Sequence, residues 1–395
     1  MRLFGIMLRR TASRLTDWRN QSLISTKEKK RKTRNIKGRR TDKESMKKEK
    51  VVIGMSGGVD SSVAAYLLKE AGYDVTGVTM ITCDEEQCGQ DPSRDAKKVA
   101  EEIGIPHYTV DFRKEFKASV MDYFCEEYLE GRTPNPCVVC NRFVKWEALL
   151  NWAGQISADK IATGHYANII TLPNGRYAVA NADVSRKDQT YALYNLTQEQ
   201  LSHTLMPIGT YEKDEIRRIA QKAGISVAQK ADSQDICFIP DGDYASFIRN
   251  YTGNVPAEGN FVDRQGKILG RHKGMIHYTV GQRKGLGIAL GYPAFVLEIR
   301  PKTNEIVLGN DEESLTTTVR AHLLNAMGVE HFEEMEGSRL FAKIRYNHRG
   351  GWCSLKVTGP DEITCTFEEP QRAVTPGQAL VLYGDGYILG GGRIL

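Results

Sequence analysis

The sequence predicts an α/β protein: a doubly wound parallel sheet, then a small mixed central domain, then a C-terminal β-barrel. Three observations predict it. Short apolar runs alternate with segments of helical spacing from Val51 to His165. After about Gly253 the composition shifts, with Gly, Val, Ile and Thr alternating with charged residues, as in Phe295-Val-Leu-Glu-Ile and Glu305-Ile-Val-Leu. From Thr316 onward short strands recur between the turn signals Gly359-Pro-Asp-Glu, Thr375-Pro-Gly-Gln and Gly384-Asp-Gly. The expected segments are a disordered basic tail over 1–45, an α/β domain over 46–250, a central domain over 251–312 and a barrel over 313–395.

Residues 1–50 hold 18 Lys/Arg against 5 Asp/Glu, whereas the remaining 345 hold 36 against 44. The formal charge of +5 therefore belongs to the tail, and the body is acidic. A nucleic-acid partner must be met by local patches. The tail has no apolar period after Leu23 and reads as disordered. Its first 25 residues are Arg-rich and nearly acid-free, as in a mitochondrial presequence, but the Lys-rich continuation fits that poorly. Met46-Lys-Lys-Glu-Lys50 looks like a natural start, so a misassigned upstream start codon fits equally, as does a flexible RNA-binding tail. The expected location is cytoplasmic, or mitochondrial if the tail is a presequence. No apolar run approaches the ~20 residues of a membrane span, so no membrane partner is expected.

The first βα unit is Val51-Val-Ile-Gly-Met-Ser-Gly-Gly-Val-Asp-Ser-Ser62: a buried strand, a glycine turn, and a helix expected to start near Ser61. Two glycines let the backbone turn sharply and bring its amides close to a ligand. The first amides of a helix lack internal partners and attract an anion. Ser56, Ser61 and Ser62 add hydroxyls, and Asp60 is placed to hold a magnesium ion. The Gly-Lys-Ser/Thr ending of a Walker A loop is missing. The turn resembles instead the Ser-Gly-Gly-x-Asp-Ser loop of the PP-loop ATP pyrophosphatases. That resemblance implies an adenine nucleotide alpha hydrolase-like sheet, with ATP and Mg as cofactors. The first helix ends at Gly72, a C′ residue, and Asp74 to Thr82 forms the second strand. A helix from Arg94 stops at Gly104, His107 to Phe112 gives a third strand, and helices follow near 116–130 and 143–155. Lys160 to His165 is the next strand, and Tyr211 to Ala223 is the clearest helix of an irregular helical stretch over 176–250. In such sheets a ligand lies beyond the carboxyl ends of the strands, where the glycine turn, Thr79–Thr82 and Gly164–His165 converge.

Eight cysteines in a long chain point to a reducing compartment, where thiols react or bind metals. Arg132-Thr-Pro-Asn-Pro-Cys-Val-Val-Cys-Asn141 lies between two helices, and its prolines should keep Cys137 and Cys140 in a stiff loop. A lone CxxC reads as half a zinc knuckle, a redox pair or chance, and Cys83 with Cys88 would complete the zinc reading. Further along come Ala162-Thr-Gly-His-Tyr166, Lys187-Asp-Gln189, Asp232-Ser with Ile236-Cys-Phe, and Gly281-Gln-Arg-Lys-Gly-Leu-Gly287. Together with the glycine turn, Gly131-Arg-Thr-Pro-Asn-Pro and Cys140-Asn, these resemble the tRNA-specific 2-thiouridylases, from about residue 50 to the end.

The resemblance implies sulfur transfer to carbon 2 of the wobble uridine of tRNA. ATP would adenylate the base oxygen, with the pyrophosphate held by Gly54, Met55, Ser56, Gly57, Gly58, Val59, Asp60 and Ser61. Met80 and Gly164 would contact the adenosine. Cys237 would carry a persulfide passed on by a cysteine desulfurase or sulfur-relay protein, and Cys140 would attack it. A working thiolate needs nearby positive charge, for which Arg132, Arg142, Lys145 and Lys230 are the candidates in sequence. Asn135, Pro136 and Cys137 would touch the target base in the anticodon loop, with His165 close by. Lys187, Asp188, Gln189, Arg345, Tyr346 and Gln378 would contact tRNA. Many family members carry Asp where this chain has Cys137, so Cys137, Cys140 and Cys237 become candidate ligands of a 4Fe–4S cluster. The rival readings are another PP-loop adenylating ligase and a non-catalytic RNA-binding protein with zinc on Cys83, Cys88, Cys137 and Cys140.

Overall fold

The computed structural model describes residues 48–84, 92–182, 187–230, 236–254 and 256–395. The tail over 1–45, Cys88 and Asp232-Ser233 lie outside them. Among the described residues no helix is long and apolar enough to cross a membrane.

The first sheet contains β1 (Lys50–Gly54), β2 (Asp74–Ile81), β3 (His107–Asp111), β4 (Lys160–Ala162) and β7 (Thr204–Leu205). They run parallel in the order β3-β2-β1-β4-β7. β1 sits in the middle, and its Val-Val-Ile run is buried on both faces, as a central parallel strand requires. Period-two alternation sends its side chains to two cores. Val51 and Ile53 pack with Val63 and Leu68 of α1 (Val59–Glu70), Val99 of α2 (Pro92–Ile103) and Ile216 of α6 (Lys213–Lys222). Val52 packs with Phe116 and Phe124 of α3 (113–129) and Leu149 of α4 (136–155). After β3 the chain crosses back over β1 to begin β4. The strand order therefore reverses between β1 and β4, the crevice where doubly wound sheets bind ligands.

Two local outcomes differ from the sequence reading. The helix expected from Phe143 begins at Pro136, so Cys137 and Cys140 lie on α4 rather than in a loop. A proline is tolerated in the first turn, where its missing N–H would have had no partner anyway. Asn135 caps the turn, its side chain accepting from the Val138 amide at 3.4 Å. The middle of α4, Asn141–Ala148, is π-helical. The stretch read as irregular helix over 176–250 also contains strand. β5 (Ala167–Thr171) and β6 (Tyr177–Asn181) form an antiparallel hairpin that reaches the C-terminal barrel through Ala180 opposite Tyr387. The same stretch also holds β7, α5 (Gln198–Ser202), α6 and α7 (Tyr244–Thr252).

The central sheet, β8 (Gly259–Val262), β9 (Ile268–His272), β10 (Phe295–Arg300) and β11 (Glu305–Gly309), has the order β10-β11-β8-β9 around Phe261, Val296 and Ile306. The barrel comprises β12 (Leu315–Ala326), β13 (Leu340–Lys343), β14 (Gly351–Gly359), β15 (Glu362–Arg372), β16 (Ala379–Gly384) and β17 (Tyr387–Ile394). It closes where β12 pairs with β17. Closure removes the free edges that six antiparallel strands would otherwise expose.

Polar ties fix the barrel to the α/β part. Buried Glu127 of α3 accepts from Arg132 at 2.7 and 2.9 Å and from Arg393 of β17 at 3.2 Å. Gln378 donates to the carbonyls of Thr133 and Pro134 at 2.9 and 3.3 Å, and the Thr133 amide donates to Pro376 O at 2.8 Å. The loop entering α4 is thus held from both sides. Removing the Glu127 charge leaves two partly buried guanidinium groups without their counter-ion. Glu127→Gln is expected to cost about 3 kcal/mol, measured by chemical denaturation, and an unchanged midpoint would refute the tie.

Candidate active site

The glycine turn is braced from β2. The Met55 amide donates to Val78 O at 2.7 Å, and the buried Thr79 hydroxyl donates to Met55 O at 3.0 Å. Gly57 has φ +68°, where a side chain would be strained. The Ser56 amide donates to Ser61 Oγ at 3.2 Å, and Gly58 O accepts from the hydroxyls of Ser61 and Ser62 at 3.2 and 2.8 Å. α1 starts at Val59, two residues earlier than expected. Its first amides lack helical partners and form an anion site. Met80 reaches over the end of β1, its methyl carbon 3.3 Å from where a Gly54 Cβ would stand. Gly164 lies against the start of α1, and a Cβ there would fall 2.7 Å from the Ser61 amide nitrogen and 2.9 Å from the Asp60 carbonyl carbon.

Asp60 has partners that the sequence did not reveal. Lys213 Nζ is 2.8 Å from each carboxylate oxygen, and the Tyr166 hydroxyl donates to Oδ1 at 2.7 Å. The carboxylate expected to hold magnesium is therefore engaged by an ammonium and a phenol. The only sequence signal for these residues is position, since each follows a strand's carboxyl end.

α4 packs antiparallel to the strands, so its N-terminus lies at their carboxyl edge. Cys137 is exposed in its first turn, Cys140 is half-buried one turn on, and Cys237 is exposed. The three thiols lie within electrostatic reach of one another, and the Lys145 charge acts on both Cys140 and Cys237. Of the four candidate cations, Lys145 takes this place. Arg132 is bound to Glu127, Arg142 donates to Asn195 O, and Lys230 pairs with Asp95 at 2.6 Å. Burial pushes the Cys140 thiol up to about 12 against the opposing pull of Lys145. Surrounding protein also raises Cys237, whose residue surface is nonetheless exposed. The expected lowered pKa is thus not met, and both thiols rest protonated. Beside Cys140, buried Asn141 donates to Ala192 O at 2.9 Å, and its amide oxygen has no partner among the described residues.

His165 links the thiols to the glycine turn. Its Nδ1 is 2.9 Å from Thr163 Oγ1, and its ring lies 5.5 Å from that of Trp146. Burial, then the Lys145 charge, lowers its pKa well below 6.5, which leaves a neutral imidazole. Lys145 thus faces both the sulfurs and the residue adjoining Gly164.

The expected tRNA contacts divide into two groups. Asp188 accepts from the Ala182 and Thr190 amides and the Thr190 hydroxyl at 2.6 to 3.2 Å, and Gln189 accepts from the Tyr166 amide at 2.9 Å. These side chains and that of Gln378 hold the protein's own chain. Lys187 and Tyr346 are exposed, and Arg345 is half-buried, donating to Arg372 O at 3.0 Å. Tyr346 arrives from the barrel, its hydroxyl 3.4 Å from Asp188 O, and lies within electrostatic reach of Cys137. Asn135 and buried Pro136 lead into the same place.

Among the described residues no three His, Cys, Asp or Glu side chains are gathered as a metal would need. Cys137, Cys140 and Cys237 are neighbours but do not fit a 4Fe–4S cluster in this arrangement. Cys83 is disulfide-bonded, which removes one thiolate from the zinc reading.

Comparison with known proteins extends these observations. Residues 49–241 match the family described as tRNA methyl transferase HUP domain, 245–310 the tRNA methyl transferase PRC-barrel domain, and 317–394 the aminomethyltransferase beta-barrel domain. The chain is 60% identical over 357 residues to tRNA-specific 2-thiouridylase MnmA of Lachnoclostridium phytofermentans, covering 88% of this chain and 99% of the relative. It is 49% identical over 355 residues to the protein of the same name from Clostridioides difficile, covering 88% and 98%. With its parallel sheet, central module and closed barrel matched in order, the chain belongs to the tRNA-specific 2-thiouridylase family.

Proposed function

We propose that the protein replaces the oxygen on carbon 2 of the wobble uridine of tRNA with sulfur, at the expense of ATP. The observation that carries this reading is contiguity. Gly164 packs on the glycine turn, and its neighbour His165 shares the field of Lys145 with Cys140 and Cys237. The relatives' name, tRNA-specific 2-thiouridylase, supports it.

In the reading proposed, the base oxygen attacks the α-phosphorus of ATP and pyrophosphate departs, held by the α1 amides, Ser56 and Ser61. Exposed Cys237 receives a persulfide from a cysteine desulfurase or relay protein. The Cys140 thiolate attacks the inner sulfur of that persulfide, forming a Cys140–Cys237 disulfide and releasing hydrosulfide. Hydrosulfide adds at carbon 2, AMP leaves with the oxygen, and loss of a proton completes the C=S bond. An external thiol then reduces the disulfide with two electrons. Lys145 favours the thiolate and the departing hydrosulfide, while neutral His165 can hydrogen-bond the base without adding charge. The wobble base is unpaired, so splaying it into this crevice costs less than the few kcal/mol needed to extrude a paired one. No step is assigned to a cluster or to a metal held by protein side chains.

Three measurements test this. Incubation with unmodified tRNA, ATP and labelled sulfur from a cysteine desulfurase should yield 2-thiouridine on nucleoside analysis. Cys140→Ser and Cys237→Ser should each lower that yield about a hundredfold or more while sparing ATP binding. Full yield in both would overturn the route through these two cysteines, and no 2-thiouridine from the unmutated chain would favour an amidating PP-loop ligase. Because burial holds Cys140 as a thiol, its alkylation by iodoacetamide should rise about tenfold per pH unit from 7 to 9 without levelling off. Mapping the labelled peptide reads this directly, and a plateau near pH 7 would contradict the assigned protonation. Finally, Gly164→Ala inserts a methyl into backbone, at a cost of about 1–3 kcal/mol, so ATP should bind about tenfold more weakly by calorimetry.

A further inference from the structure

One sequence motif has no role in the chemistry above: Gly281-Gln-Arg-Lys-Gly-Leu-Gly287. It forms the turn leading towards β10 and is tightly made. The Gly281 amide donates to Val296 O at 2.8 Å, the Val296 amide donates back to Gln282 O at 3.0 Å, and Gln282 Oε1 accepts from the Thr279 amide at 3.0 Å. Gly281, Gly285 and Gly287 all have positive φ, so the turn depends on glycine. Leu286 is buried beneath it, while Arg283 and Lys284 are exposed at its crest. A built, ordered turn that presents two cations to solvent has the form of a phosphate-binding element rather than of a slack connection.

The surroundings extend the positive charge in one direction. A Cβ at Gly281 would fall 2.5 Å from Ala373 Cβ, so the turn abuts the barrel at the end of β15. Phe295 lies at this junction, with the Arg283 guanidinium 6.0 Å and that of Arg372 4.7 Å from its ring centroid. Arg372 is also anchored by an ion pair with Asp311. Its carbonyl accepts from Arg345, the neighbour of Tyr346. Three arginines therefore run from the central module across the barrel edge to the tyrosine within reach of Cys137. Beside Arg283 opens a cleft of about 430 Å³, lined by Leu286, Ile288, Pro293 and half-exposed Tyr292. Cations along one edge and an exposed ring over an apolar cleft are what a single RNA strand needs for its phosphates and one base.

We propose that the Gly281–Gly287 turn and its cleft form a second RNA site, where Arg283 and Lys284 bind phosphates and Tyr292 stacks one nucleotide, continuous through Arg372 and Arg345 with the thiols. The inference rests on tRNA being the substrate and adds where a further part of its backbone is held.

The experiment measures binding of an unmodified tRNA transcript to the full chain across a salt series. Replacing both cations, Arg283→Gln with Lys284→Gln, should weaken binding about tenfold at 0.15 M salt and flatten the dependence of log K on log salt by about 1.5. ATP affinity and melting temperature should not change, and Arg283→Lys with Lys284→Arg should restore both affinity and slope. Tyr292→Ala should weaken binding severalfold without changing the slope. An unchanged affinity and slope in the double variant would overturn the inference while leaving sulfur transfer intact. Failure of the unmutated chain to bind tRNA would overturn both. A normal salt response in a chain that makes no 2-thiouridine would overturn the function alone.

Discussion

At the centre of the site a strand end is laid against a helix start. Gly164 presents no Cβ to Ser61, and everything downstream takes its position from that contact. His165 follows and rests on Trp146. Tyr166 comes next, reaching back to Asp60 with its hydroxyl while its backbone is paired in both directions with Gln189. From there the chain enters the β5–β6 hairpin, which joins the barrel at β17. The barrel returns Gln378 to the loop before α4 and Arg393 to Glu127. The contacts form a circuit, so the nucleotide turn, the sulfur helix and the barrel cannot move independently without breaking buried polar bonds, each of which is expensive to leave unmade.

Within that frame two opposing effects set the state of the thiols. Burial raises Cys140 and the Lys145 ammonium lowers it, and burial wins in the free protein. A protonated, half-buried sulfur is a poor target for oxidants, which attack the thiolate. The exposed member of the pair is Cys237, the one that a donor protein would have to reach. Accessibility and protection are thus divided between two cysteines that feel the same cation.

Much of this was legible in the sequence because it depends on short spacings. Strand–helix alternation, the Ser-Gly-Gly turn and the period-two run at Val51 are local patterns with one structural solution. The misplaced start of α4 came from reading Pro136 as a breaker, whereas a capped first turn accepts proline. Lys213, Tyr166 and the selection of Lys145 over Arg132, Arg142 and Lys230 could not be read locally. Each depends on which elements the fold brings together, as does the hairpin's single pairing with Tyr387. The bonds that Asp188, Gln189 and Gln378 make to the protein's own chain were not legible either, because a polar side chain in a motif carries no mark of its internal partners.

The acidic body gives the domain junctions their significance. Outside residues 1–50 acidic residues outnumber basic ones, 44 to 36, so the body, unlike the basic tail, repels a polyanion. Attraction has to be local, and on the reading proposed its cations come from different modules: Lys187 from the α/β part, Arg283 from the central turn, Arg345 and Arg372 from the barrel. On the reading proposed, alignment of all three modules is what brings these cations to one ligand. Glu127 contributes by neutralising Arg132 and Arg393 internally, which locks the alignment and withholds two cations from non-productive contacts. On that reading, selectivity for a folded tRNA over arbitrary RNA would follow from geometry, since only a ligand that spans the junction would meet every positive group at once.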